Sequence, residues 1–158
     1  MGSGLISRNN VPTGRELATA PMGDIELVNA VAPEHPLARL PDPISDKTLR
    51  VHRGTVVRDT ARSEPKMALG VRTVQPALIV ADFEAKSAAQ LCGLGVGALP
   101  RYLIADDIEA GRLIHKPFAK AYYETIQLAW RLENKGKALA GLRDEILTVP
   151  APWLVRAN

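Results

Sequence analysis

The sequence has 158 residues, 46% hydrophobic and 23% charged, a composition that fits one globular domain and excludes a disordered or coiled-coil chain. Its single cysteine, Cys92, excludes an intramolecular disulfide framework and a cysteine-cluster zinc site, and points to a reducing compartment. The net charge of +3 is too small to imply nucleic-acid binding by itself.

Residues 1–16 are dominated by Gly, Ser, Asn and Pro, and Leu5-Ile6 reads as the tail of a strand. Residues 24–32 start by alternating and end nearly continuous in apolar side chains, which predicts a strand buried on both faces, stopped by Pro33. A proline-punctuated loop follows, and Ser45 is set to cap a short helix over 46–50. Thr55-Val56-Val57 predicts a strand that opens into Arg58-Asp59-Thr60-Ala61-Arg62-Ser63, and 63–73 carry no pattern.

Ala77-Leu78-Ile79-Val80 predicts a short buried strand. Asp82 is placed to cap a helix over 83–93, with Ala85, Ala88, Ala89 and Cys92 on one face and Gly93 and Gly95 stopping it. Cys92 on that face reads as a small buried hydrophobe, and Phe83 as a core residue. A strand over 96–99, a helix over 101–110 started by Pro100, and a strand over 112–115 follow. Residues 125–130 alternate like a strand, with Trp130 a core or interface residue. A helix over 137–147 carries Ala138, Leu139, Leu142, Ile146 and Leu147 on its apolar side, and 150–158 read as a tail. Strands interleaved with short helices predict an α/β fold, its mixed sheet covered by helices on both faces.

Chemistry-bearing patterns are few. Gly93, Gly95 and Gly97 follow a helix and enter a strand, the reverse of a dinucleotide-binding loop. His35, His52 and His115 have no metal-ligand spacing, and no serine sits in a nucleophile elbow, so neither a metal, a cofactor nor an enzyme is indicated. Asp106, Asp107 and Glu109 crowd a helix C-terminus, where Arg101 and Arg112 could offset them. The longest uncharged stretch, Ser87–Pro100, is 14 residues long and interrupted by glycine, too short to cross a bilayer. No secretory leader is visible, so a cytoplasmic location is expected.

The segment Ala81–Pro100, a helix followed by Gly-Leu-Gly, a strand and Leu-Pro, closely resembles the effector-binding domain of LysR-type transcriptional regulators. Arg101–Asp107 with Gly111-Arg112-Leu113 continues the resemblance, as do Leu27–Ala38 with its His-Pro-Leu-Ala turn and Gln127–Arg131. It covers roughly residues 14–148. It implies a periplasmic-binding-protein-like (type 2) two-lobed α/β domain, here mainly the distal lobe. On that reading 1–16 are a tag-like start and a remnant of the proximal subdomain and crossover. Residues 17–118 are the distal subdomain, 119–148 return to the proximal one, and 149–158 are a tail. The winged helix-turn-helix, the linker helix and the first part of the effector domain have no counterpart here, which implies a truncated chain.

The resemblance implies a non-enzymatic sensor that binds a small, anionic metabolite in an interlobe cleft to control transcription. It also implies homo-oligomers, and DNA contact only through the absent winged helix. The loop Arg58, Asp59, Thr60, Ala61, Arg62 and Ser63 lines that cleft in the family. It offers guanidinium groups, hydroxyls and backbone N–H groups suited to a carboxylate. Phe83, Leu99 and Pro100 complete the candidate ligand-binding set, although Arg58 and Asp59 also read as a solvated ion pair, and Leu99 and Pro100 as packing residues. A periplasmic-type solute-binding protein and a non-binding remnant are the alternatives. Truncation also implies that the strand around 125–130 is left with an unpaired edge.

Overall fold

The computed structural model describes residues 17–58, 76–118, 120–133, 136–149 and 151–155, together with the backbone of 4–7. The strands are β1 (Gly4–Ser7), β2 (Leu17–Val31), β3 (Gly54–Val57), β4 (Ala77–Val80), β5 (Gly97–Pro100), β6 (Ile114–Lys116) and β7 (Tyr122–Arg131). The helices are α1 (Asp46–Arg50), α2 (Phe83–Leu91), α3 (Arg101–Glu109) and α4 (Lys137–Thr148), with a 3-10 turn at Pro36–Arg39. The chain divides into two compact units, Leu27–Tyr122 and Met1–Glu26 with Tyr123–Asn158.

In the first unit, the last residues of β2 pair antiparallel with β5 (Val28 opposite Leu99) and with β6 (Ala30 opposite His115). Successive side chains of a strand point to opposite faces. Val28 and Ala30 therefore build one core with Leu99, Ile104 and Leu113, covered by α3 and by Leu91 of α2. Val31 builds a second core with Leu37, Ile44, Leu49 and Val96, covered by the 3-10 turn and α1. The continuous apolar run of β2 thus reflects a strand buried on both faces, and the mixed sheet does carry helices on each side.

Local signals set the helix ends. The Ser45 hydroxyl accepts from the Thr48 N–H at 3.1 Å, and the Asp82 carboxylate accepts from the Ala85 N–H at 2.8 Å. Gly93, at φ +69°, closes α2. Its N–H donates to the Gln90 carbonyl and that of Leu94 to the Ala89 carbonyl, the paired bonds of a helix stop that needs a left-handed residue.

Several expectations are corrected. β2 begins at Leu17, running through Pro21 and Gly23. A proline is tolerated where the ladder does not call on its missing N–H. β4 is half exposed rather than buried. Pro100 closes β5 and precedes α3 rather than opening it. The buried face of α2 carries Lys86, Ser87, Ala89 and Gln90, while Ala88 and Cys92 are exposed. Cys92 caps the helix C-terminus, where the chain turns outward.

In the other unit, β7 lies between β1 and the early part of β2, with Leu128 opposite Leu5. The strand around 125–130 is therefore not left unpaired, because Gly4–Ser7 supplies the ladder on that side. The Thr125 hydroxyl bonds the Asp24 carboxylate at 2.7 Å. Asp24 also exchanges backbone hydrogen bonds with Val155, so part of the expected tail is tied into the unit. The Arg143 guanidinium of α4 stacks over Trp130 at 5.3 Å, a cation–π contact. No residue of α4 is fully buried, and Leu142 is 56% exposed, so its apolar side does not enter a core among the described residues.

Candidate functional site

β3 and β4 run parallel, with Val57 opposite Val80. Val96, immediately before β5, joins the other side of β3 in a parallel bridge: its N–H donates to the Arg53 carbonyl at 2.9 Å and its carbonyl accepts the Thr55 N–H at 2.7 Å. Three parallel strands therefore end at one edge, at Val57, Val80 and Pro100. Helices α2 and α3 begin at that same edge. Loops at the carboxyl ends of parallel strands, beside helix N-termini, are where α/β folds hold ligands.

Arg58 lies at this edge. Its N–H donates to the Val80 carbonyl at 2.8 Å, which fixes its backbone, and its side chain is exposed. Asp59, Thr60, Ala61, Arg62 and Ser63 lie outside the described residues. Phe83 opens α2 and is 38% exposed, so it is a surface residue of the edge rather than a core residue. Tyr102 in the first turn of α3 is 51% exposed on the same edge. Leu99 and Pro100 are fully buried and back the edge from within.

Behind the edge lies a polar cluster that sequence patterning missed. The Gln90 side-chain amide donates to the Thr55 hydroxyl at 2.8 Å and to the Gly97 carbonyl at 3.1 Å. The Thr55 hydroxyl in turn donates to the Val96 carbonyl at 3.1 Å. The cluster ties α2 to β3 and β5, and both Thr55 and Gln90 are completely buried. Lys86, one turn before Gln90, is 3% exposed. Burial alone lowers its pKa from 10.5 to about 8. The signal available in the sequence was the i,i+4 pairing of Lys86 and Gln90 within an otherwise small-residue helix.

His35 and His52 bring their rings to 5.0 Å, but the described residues contain no group of three or more His, Cys, Asp or Glu that could hold a metal ion. The acidic end of α3 is partly offset as expected, Arg112 Nε meeting Asp107 Oδ1 at 2.6 Å.

Residues 4–150 match the family profile of the LysR substrate binding domain. The chain belongs to that family. It is 38% identical over 137 residues to an uncharacterised HTH-type transcriptional regulator, YeeY, of Escherichia coli K12, covering 86% of this chain and 44% of that protein. It is 37% identical over 120 residues to the probable HTH-type regulator YhaJ of the same organism, covering 75% and 40%. The chain thus spans under half the length of these relatives. The fold matches the C-terminal domains of a LysR family protein from Agrobacterium tumefaciens with a TM-score of 0.73 at 18% identity, over 99% of this chain and 75% of that one. It matches full-length LysG from Corynebacterium glutamicum, solved with bound effector arginine, with a TM-score of 0.65 at 20% identity, over 97% and 52%. The LysR substrate-binding domain thus has here its periplasmic-binding-protein-like (type 2) α/β architecture. The relatives are transcriptional regulators rather than enzymes. No described helix is long and apolar enough to cross a membrane.

Proposed function

We propose that this chain is the effector-sensing part of a LysR-family regulator and takes a small anionic metabolite at the edge where β3, β4 and β5 end. The observation that carries the reading is the convergence of three parallel strand ends and two helix starts around the exposed Arg58 guanidinium. The segment from Arg58 through Asp59, Thr60, Ala61, Arg62 and Ser63 supplies the polar contacts, with Arg58 pairing the acidic group. Phe83 offers an aromatic wall, and Leu99 and Pro100 hold the floor from behind. LysG was solved with an amino acid, which brings a carboxylate to its protein, as bound effector.

On this reading the chain is no enzyme. It works in the cytoplasm as a homo-oligomer, and DNA is engaged by a winged-helix domain outside these residues. The unit Leu27–Tyr122 is the sensing lobe on this reading, and residues before 27 and after 122 belong to its partner lobe. The test is thermal denaturation across a carboxylate library, because a ligand that binds only the folded state raises its melting temperature. A positive shift with at least one acid, reduced in Arg58→Ala while the unliganded melt is unchanged, supports the site. No shift with any acid and a cooperative melt would leave a non-binding remnant.

A further inference from the structure

Lys86 is a buried cation that nothing described so far employs. It projects from α2 between β3 and β5. Its Cε and Nζ lie 3.0 and 3.2 Å from the point where a Cβ on Gly97 would be, a space that only glycine leaves open. The groups nearest this point among the described residues are uncharged: the Thr55 carbonyl from β3 and Gly97 from β5. Among the described residues Lys86 makes no ion pair, and burial is the sole cause of its weakened basicity. One turn further along α2, Gln90 Oε1 is buried with no hydrogen bond among the described residues.

An ammonium held out of water without a counter-charge is costly. Groups perturbed in this way cluster at functional sites, where a ligand can bring the missing charge. Lys86 stands three residues into α2, about 5 Å below its first residue at 1.5 Å per residue. The ammonium rests over Gly97, the first residue of β5, and the four-carbon stem must swing from there toward the start of α2 for it to meet a group entering at the strand-end edge. Arginine, with its larger planar fork, could not lie over Gly97 in the same way.

We propose that Lys86 is the charge-recognition residue of this domain: its ammonium takes one carboxylate of a small acid entering beside Phe83, with Gln90 accepting a second ammonium proton. Arg58 at the rim then pairs with any further acidic group. This rests on the effector-binding reading above and names the residue that selects the ligand's charge.

The test uses the whole 158-residue chain with the lysine side chains labelled with 13C. The Cε resonance of Lys86, assigned by its loss in Lys86→Met, is followed during titration with acetate, benzoate, succinate and citrate, with acetamide as the uncharged control. The expected result is a saturable shift of that resonance with at least one acid and none with acetamide. Affinity should fall about tenfold or more in both Lys86→Gln and Lys86→Met, as loss of a charge-assisted hydrogen bond implies. Wild-type affinity should weaken above about pH 8, where Lys86 loses its proton, and the Met variant should lack this dependence. An acid that binds wild type and both variants equally overturns the role of Lys86 while leaving the effector-binding reading intact. If no acid produces a saturable response at 10-mM concentrations (roughly the weak end of specific metabolite binding), both are overturned.

Discussion

The side chain of Lys86 fills the space over Gly97 that any other residue at position 97 would need for its own Cβ. This relationship links two features that look unrelated in the sequence, a glycine in a strand and a lysine in an alanine-rich helix. Replacing Gly97 with Ala sets a methyl group 2.9 Å from the Thr55 carbonyl oxygen and 3.0 Å from Lys86 Cε. The backbone oxygen cannot swing aside, so β3 and β5 must separate slightly. Overpacking of this kind costs about 1–3 kcal/mol. Urea denaturation of Gly97→Ala should show that loss, and an unchanged midpoint would mean that the contact is looser than it looks.

Lys86 itself should lower the stability of the unliganded domain at neutral pH. Its folded pKa of about 8 is below the unfolded value of 10.5. Between those values the unfolded chain binds more protons, so stability rises with pH across that window. The penalty is fully present below about pH 8 and vanishes above 10.5. It amounts to at most about 3 kcal/mol, at 1.36 kcal/mol for each unit of difference. Lys86→Met should therefore melt higher than wild type at pH 7 and lose the alkaline rise. A variant that melts lower would show that the ammonium is compensated in the folded state.

The Gln90–Thr55 hydrogen bond should matter through what it leaves behind. Thr55→Val keeps the shape of the side chain but removes the acceptor that Gln90 Nε2 reaches at 2.8 Å. One buried N–H then loses a hydrogen bond, at a cost of about 1–3 kcal/mol. Thr55→Val with Gln90→Leu should recover part of that loss, because both polar partners go together. Thermal melts of the single and double variants measure the coupling.

Acid should weaken the same unit through His35. Its Nδ1 accepts from the Leu37 N–H at 3.2 Å, which requires an unprotonated nitrogen. Burial, and then the neighbouring His52, hold its pKa below 6.5. Its contribution is thus present above about pH 6.5 and is lost as pH falls through the lower folded value. His35→Asn keeps an acceptor at the helix start and removes the titration. Its stability should vary less than wild type between pH 7.5 and 5.5 in urea denaturation; an equal loss in both would assign the effect to other groups.

What the sequence disclosed was mostly local. Ser45 and Asp82 cap helices because a short oxygen side chain has few other uses immediately before a helix. Gly93 stops α2 because its left-handed backbone conformation is read directly from residue type. The glycine order already excluded a nucleotide loop, and the edge beside Arg58 followed from the element order. Features set by distant partners were not legible. Small size put Ala88 and Cys92 on the expected inner face of α2, whereas Thr55, 35 residues earlier in the chain, draws Gln90 inward and turns that face toward Lys86. Pro21 and Gly23 looked like the end of a segment because strand breakers act locally, whereas ladder partners decide how far β2 runs. The apolar periodicity of α4 describes a face, and burial depends on what packs against it.

The two-dimensional 1H–15N spectrum of the isotope-labelled chain, followed during titration with the carboxylate that gives the largest thermal shift, locates the effector site residue by residue. Saturable changes are expected at the amides of Arg58, Asp82 through Lys86, and Gly97 through Leu99, all residues at or behind the edge where the parallel strands end. Changes confined to α4 and β7, or scattered without saturation, would contradict the placement of the effector site.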